Sequence, residues 1–420
     1  MLSAIKIALL DETQRIWFVR SSSGRYAPHF KSGKLIATDY LSEVFNESEL
    51  DVMPTKESIK SALLTNDKFS EFRVNTKDKK ETKSLNLSGA KLQAAITKFK
   101  EDIGIGDLII TKTASGGFMF GICNSDEAYF SKEPVTLASA EVEGASAQDK
   151  IKLKYTLRKN VTWGPTIRES EIPDALKNSL ARNTLTEITQ YKEMVYHLLY
   201  PFYTDGQNLY FSNKIRSTRD INSAVVGKLF QNISLVNPLV SALLNDIDID
   251  PEQLLREVDF SIFSNVVLST SKADFMSPGD TWSKIPLIGN FNSKTLTTAV
   301  LSCLLVTGIV GIHEIESALA NSSVQNQVDS SGISPSSTKP SEEIENTLFN
   351  DKFRDEQTST PELDKIRESL LRQKNAINQL SERTYAKAIN DSLQLELLQP
   401  NTSNLENIEF GIKLQKLGSN

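Results

Sequence analysis

Thr295–Ile312 reads TLTTAVLSCLLVTGIVGI, eighteen residues without a charge, with Lys294 before them and His313, Glu314 and Glu316 after. As an α-helix rising about 1.5 Å per residue, the stretch spans roughly 27 Å, just short of the ~30 Å hydrocarbon core of a bilayer. Leu296, Val300, Leu301, Leu304, Leu305, Val306, Ile309, Val310 and Ile312 fall all round the helical wheel. A helix on the surface of a soluble core would keep one polar face. Four threonines, one serine and two glycines dilute the hydrophobicity, so a buried core helix is the competing reading. The length threshold favours a single transmembrane helix over 295–312. Lys284 and Lys294 precede it and no Lys or Arg occurs from Gly311 to Thr338, which places the N-terminal side inside. The expected localisation is therefore the inner membrane, single-pass with cytoplasmic N-terminal domains; the alternative is cytoplasmic.

Outward from that stretch, 420 residues suggest two to three domains. A net charge of −6 gives no overall basic signal for nucleic acid, so such a site would have to be local. Cys123 and Cys303 are far apart, which excludes a disulfide scaffold and a cysteine-based zinc site. The opening MLSAIKIALLDETQR is broken by Lys6 and closed by Asp11 and Glu12, unlike a secretory signal. Three histidines, His29, His197 and His313, are widely separated, and no GxxxxGK[ST] occurs. A magnesium nuclease needs an acidic residue ahead of a strand carrying Glu or Gln, one residue, then Lys; Glu81 and Lys83 come nearest but lack an apolar strand around them. No catalytic residue, metal ligand or cofactor is expected, and the chain reads as non-catalytic.

Residues 1–190 carry the densest pattern. Ile16 to Arg20 reads as a short strand followed by a turn at Gly24, and Leu35 to Thr38 as a second strand. Leu92, Ala95, Ile96, Phe99 and Ile103 recur at helical spacing. Then come a strand at Leu108 to Thr111, a Gly116–Gly117 hairpin, a return strand at Phe118 to Cys123, and strand material at Lys152 to Leu157 and Asn160 to Trp163. The outcome is an α+β domain on a bent, mostly antiparallel sheet.

These elements resemble the N-terminal domain of bacterial restriction-system proteins of the Mrr type. The likeness rests on Trp17, Val19, Arg20, Gly24, Tyr26 and Phe30, then Gly106, Asp107 and Leu108, then Phe120, Gly121 and Ile122, and finally Val161, Trp163, Ile172, Pro173, Leu176, Ser179 and Leu180. It covers roughly Arg15 to Thr189. The resemblance implies a PUA/EVE-like fold, which holds a modified or flipped-out base in an aromatic-lined pocket, and a usual fusion to a nuclease domain. The chain departs from the pattern in a long loop from Asp51 to Leu87, carrying KDKKETK, and in an insertion from Ser125 to Asp149. Stacking a base on an aromatic ring contributes ~1 to 3 kcal/mol. Trp17, Tyr26, Phe30, Phe120 and Trp163 supply candidate faces, Arg20 a partner for a phosphate or carbonyl edge, and Asp107 a further polar group. The plainer reading makes the aromatics core and Arg20 with Asp107 a structural ion pair. The run Lys77 to Lys83 is a nucleic-acid contact or, more plainly, a solvated loop.

Residues 191–290 read as a second small α+β domain, with Asp205–Gly206 turning a hairpin between aromatic strands. DIDIDPEQ superficially suggests a calcium loop, but Pro251 stands where the sixth position needs glycine. Phe260 to Thr270 reads as a buried strand. A polar linker at 321–360 follows the apolar run, and 361–420 reads as a helical tail that packs or self-associates through Leu363, Ile366, Leu370, Ile377 and Leu380. The expected whole is a membrane-anchored protein of bacterial anti-phage defence that senses a nucleic acid or nucleotide-derived ligand. The alternatives are a divergent restriction endonuclease acting on modified DNA and a soluble interaction protein.

Overall fold

A computed structural model describes residues 5–46, 50–74, 81–137, 152–179, 183–264, 266–274, 279–287, 292–315, 360–398, 400–406 and 411–416. The chain divides into two compact units. One comprises Asp11–Val195 with Pro400–Ile412, the other Met1–Leu10, Tyr196–Gln399 and Lys413–Asn420.

In the first unit a curled sheet runs in the order Leu185–Glu187, Ile16–Val19, Leu108–Lys112, Phe118–Cys123, Leu157–Ile167 and Leu35–Thr38. Ile16–Val19 lies parallel to Leu108–Lys112, and the other neighbours in this order are antiparallel. Trp17, Ile109, Gly121 and Trp163 are successive ladder partners on one face, while Phe18, Ile110 and Phe120 share the opposite face. The register shifts between Trp163 and Thr166, a bulge at Gly164 and Pro165 that bends the long strand. Gly121 is required beneath Trp163, because a Cβ there would stand 2.7 Å from the indole ring. The Leu87–Thr97 helix, capped by Asn86 accepting from Gly89 N at 2.9 Å, continues into a π turn at Lys98–Asp102. It buries Leu92, Ile96 and Phe99 in the core shared with Ile59 and Leu63. The segment read as a long loop contains a Thr55-capped helix, Lys56–Thr65, and a hairpin of Ser70–Val74 with Glu81–Leu85. Its apolar positions are too few and too interrupted by charge to announce a period.

The second unit has its own sheet, in the order Thr270–Asp274, Gly279–Pro286, Asn208–Ile215, Phe202–Thr204, Lys6–Leu9 and Leu414–Lys416, with Leu395–Leu397 also on Asn208–Ile215. The expected hairpin is present: Gly206 adopts φ +86°, and the Asp205 carboxylate accepts from the backbone of Gln207 and Asn208 and from Tyr210 Oη.

The transmembrane expectation is corrected by the structure. The helix is Ser293–Val306, 14 residues, and among the described residues no helix is long and apolar enough to cross a membrane. Its apolar positions point all round because apolar groups surround it. Leu229, Ile233, Val236, Leu239 and Val240 and the C-terminal Ile366, Leu370 and Ile389 enclose Leu296, Val300, Leu304 and Leu305 in a single core. The helix stops where Thr307 Oγ1 bonds back to Cys303 O at 2.7 Å and Gly308 turns left-handed at φ +70°.

The C-terminal helices are likewise core elements rather than a tail. Thr360–Arg372, Lys374–Arg383 and Ala386–Leu393 bury Ile366, Leu370, Ile377, Leu380, Ile389 and Leu393 in that core. Of the expected linker 321–360, residues 321–359 lie outside the described residues. The expected strand from Phe260 is also corrected. Asp250 Oδ1 accepts from Glu252 N at 2.9 Å, Pro251 opens a helix, and that helix runs to Ser264. The fold is thus a mixed α and β chain of two units, with no membrane-spanning third part among the described residues.

Candidate functional site

The sharpest turn in the first unit sets up its most promising cluster. Ser22, Ser23 and Gly24 all adopt positive φ, and a Cβ on Gly24 would lie 2.3 Å from the backbone of Thr113 and Ala114, so only glycine fits. The turn delivers Arg25 and Tyr26 to the start of the Ala27–Ser32 helix, with Tyr26 N donating to Ser21 O at 2.9 Å. Tyr26 is half-buried and meets Tyr155 edge to face, ring centroids 5.0 Å apart at 67°. His29 also meets the Tyr26 ring edge to face, with centroids 5.5 Å apart, and the Arg25 guanidinium stands 5.8 Å from the Tyr26 ring centre.

Tyr155 is held by a buried arginine. Arg158 donates from Nε to Tyr155 O at 2.8 Å, from Nη1 to Ser131 Oγ at 3.2 Å and from Nη2 to Glu133 O. Burial first, then the negative charge of Asp39 and the neighbouring Tyr26, push the Tyr155 hydroxyl up to about 12, against the opposing pull of Arg25. It stays a neutral donor. Asp39 follows the Leu35–Thr38 strand and is half-buried. Tyr40 beside it is also raised, by burial first, with a hydrogen bond from the Thr184 side chain opposing and Asp39 and Glu43 adding to the rise. Thr38 Oγ1 is enclosed with no hydrogen-bond partner. The cluster combines tyrosine faces, a neutral hydroxyl, a carboxylate acceptor and a guanidinium.

Of the residues singled out from sequence, Tyr26 belongs to this cluster. Arg20 is half-buried, its backbone N donating to Thr184 O, the residue whose side chain meets Tyr40. Trp17 is fully enclosed: its Nε1 donates to Asp107 Oδ2 at 2.8 Å, and Arg15 and Lys98 stand over its ring. Asp107 also accepts from Gly104 N and Arg15 N, and its ion pair at 3.6 Å is with Arg15, not Arg20. Trp163 donates from Nε1 to Phe30 O at 2.9 Å, and Phe30 and Phe120 are wholly buried. Phe120 lies on the sheet face opposite Trp17 and Trp163. Trp17, Phe30, Asp107, Phe120 and Trp163 therefore build the scaffold. Arg25, Asp39, Tyr40 and Tyr155 were missed, because the Ser22–Gly24 turn delivers the first and the docking of Leu35–Thr38 on Leu157–Ile167 sets the places of the others, with no local pattern to mark them. Of the charged run, Lys83 pairs with Asp67 at 2.8 Å on the hairpin, and 77–80 lie outside the described residues.

The second unit holds a separate aromatic cluster. His197 is buried, stacks on Trp282 with centroids 5.0 Å apart at 10°, and has Nδ1 2.6 Å from Ser212 Oγ. Burial, with Lys272 adding, drives its pKa down to about 3, so the ring packs as a neutral aromatic. Among the described residues no group of three or more His, Cys, Asp or Glu side chains is arranged to hold a metal ion. Compared with known proteins, the chain matches no protein-family model, no curated protein and no solved structure.

Proposed function

We propose that the first unit binds a nucleobase, carried by a nucleic acid or by a nucleotide derived from one, without cutting it. The chain thereby serves as a sensor in bacterial restriction-type defence. The observation that supports binding is the half-buried pair of Tyr26 and Tyr155 at 5.0 Å, with Asp39 and Arg25 within electrostatic reach. A flat base gains ~1 to 3 kcal/mol against an aromatic face. In this reading the Asp39 carboxylate accepts from a ring or exocyclic N–H, and Arg25 meets a phosphate. The defence setting rests on the resemblance of Arg15 to Thr189 to restriction-system domains.

Equilibrium binding of the full chain to oligonucleotides with ordinary and modified bases, and to mononucleotides, in magnesium buffer tests the proposal. Tyr26→Ala and Tyr155→Ala should each weaken binding by roughly 5- to 150-fold, the equivalent of one stacked base, while the thermal midpoint shifts by only a few degrees. Binding left intact by both substitutions removes the site. Strand cleavage removes the non-catalytic reading.

A further inference from the structure

The Pro251–Ser264 helix of the second unit changes character along its length. Its first turns are tied down: Leu254 and Val258 enter the core, Arg383 and Arg256 both bond Glu252, and Gln231 reaches Asp259 at 3.2 Å. Beyond Asp259 the apolar side chains turn outward. Phe260 is 68 %, Ile262 72 %, Phe263 83 %, Val266 55 % and Val267 63 % exposed. Five such side chains within eight residues, two of them aromatics that each bury ~150–250 Å² when covered, present roughly 600 Å² of apolar surface. That is at the upper limit of what monomers leave bare, about 300–600 Å².

We propose that this exposed helix end, with Val266 and Val267 just beyond it, is the contact between two copies of the chain, packed across a two-fold axis near Phe263. With its polar rim, the patch comes close to the ~800 Å² that each partner contributes to a standard interface. A two-fold axis makes an apolar patch its own complement. If the helices cross antiparallel, the charged turn of Glu252, Arg256 and Glu257 on one copy falls beyond the apolar end of the other, so like charges do not meet. The acidic side chains at the margin, Glu257 and Asp259, oppose the other obvious apolar occupant, a bilayer surface carrying anionic lipid.

Sedimentation equilibrium of the full chain over a concentration series should show a monomer–dimer transition. Phe263→Glu should weaken dimerisation at least ~30-fold, as expected for a central anchor, and leave the thermal midpoint of the monomer unchanged because the side chain is exposed. Ile262→Cys should give a covalent dimer under copper-phenanthroline oxidation, and this reports on the face alone, since the native Cys123 and Cys303 are buried. A monomer at all concentrations, or a dimer that survives Phe263→Glu, overturns the proposal. So does monomeric protein that co-sediments, through Phe263, with phosphatidylcholine–phosphatidylserine vesicles.

Discussion

His197 shows how a single buried ring couples the second unit to pH. Its folded pKa, about 3, lies below the ~6.5 of an exposed histidine. Between those values the unfolded chain takes up a proton that the folded chain refuses, so stability rises with pH there and is lost as pH falls through that window. The contribution is fully present above pH ~6.5, and the slope approaches ~1.4 kcal/mol per pH unit for this one proton. Urea denaturation at pH 7, 6, 5 and 4.5 should show it, and His197→Gln should flatten the curve by up to one proton. An unchanged slope in the variant would mean that water reaches the ring. Asp205 works in a separate window. Burial raises its carboxyl, but hydrogen bonds from Gln207, Asn208 and Tyr210 outweigh that and hold it below the usual range. Its stabilisation is lost only as pH falls below the unfolded value of ~3.9.

At the scale of elements, the Ser293–Val306 helix is governed by its end as much as by its apolar faces. Gly308 is left-handed, and a Cβ there would lie 2.4 Å from Ala386 O. Gly308→Ala should therefore cost roughly 2–5 kcal/mol through backbone strain and overpacking, read as a lower urea midpoint. Stability within a few tenths of the parent would show that the turn can reorganise. The same helix explains what was legible in the sequence. The Leu92–Ile103 period, the Asp205–Gly206 hairpin and the Phe118–Cys123 strand are local signals, and each yields the element it announces. An apolar stretch with no polar side looks alike in lipid and at the centre of a helical cluster, because periodicity records what a helix meets and not which solvent supplies it. The strand expected from Phe260 failed differently: the Asp250–Pro251 start signal outranked the apolar run behind it. The candidate site was legible only at Tyr26. Asp39 and Tyr155 come from separate strand ends, and their pairing depends on how Leu35–Thr38 docks on Leu157–Ile167.

For the whole molecule, unit boundaries do not follow the order of the chain. Ser403–Glu406 belongs to the first unit, where Leu405 is fully buried with its side chain within 2.6–3.1 Å of where a Cβ on Gly164 would stand. Leu414–Lys416 belongs to the second, paired with Lys6–Leu9. Ending the chain after Gln399 should destabilise both units at once, by about 2–5 kcal/mol in the first from loss of a fully buried leucine. Limited proteolysis and calorimetry of the shortened protein check this; a first unit with its parent midpoint would contradict the assignment. Lys6–Leu9 also sits between Phe202–Thr204 and Leu414–Lys416 in one sheet. On the ribosome, at about 5–20 residues per second, roughly 20–80 s separate the emergence of its first strand from that of its last partner. Through that interval a nascent Lys6–Leu9 strand lacks its last neighbour, so one edge of the growing sheet stays open to mispairing.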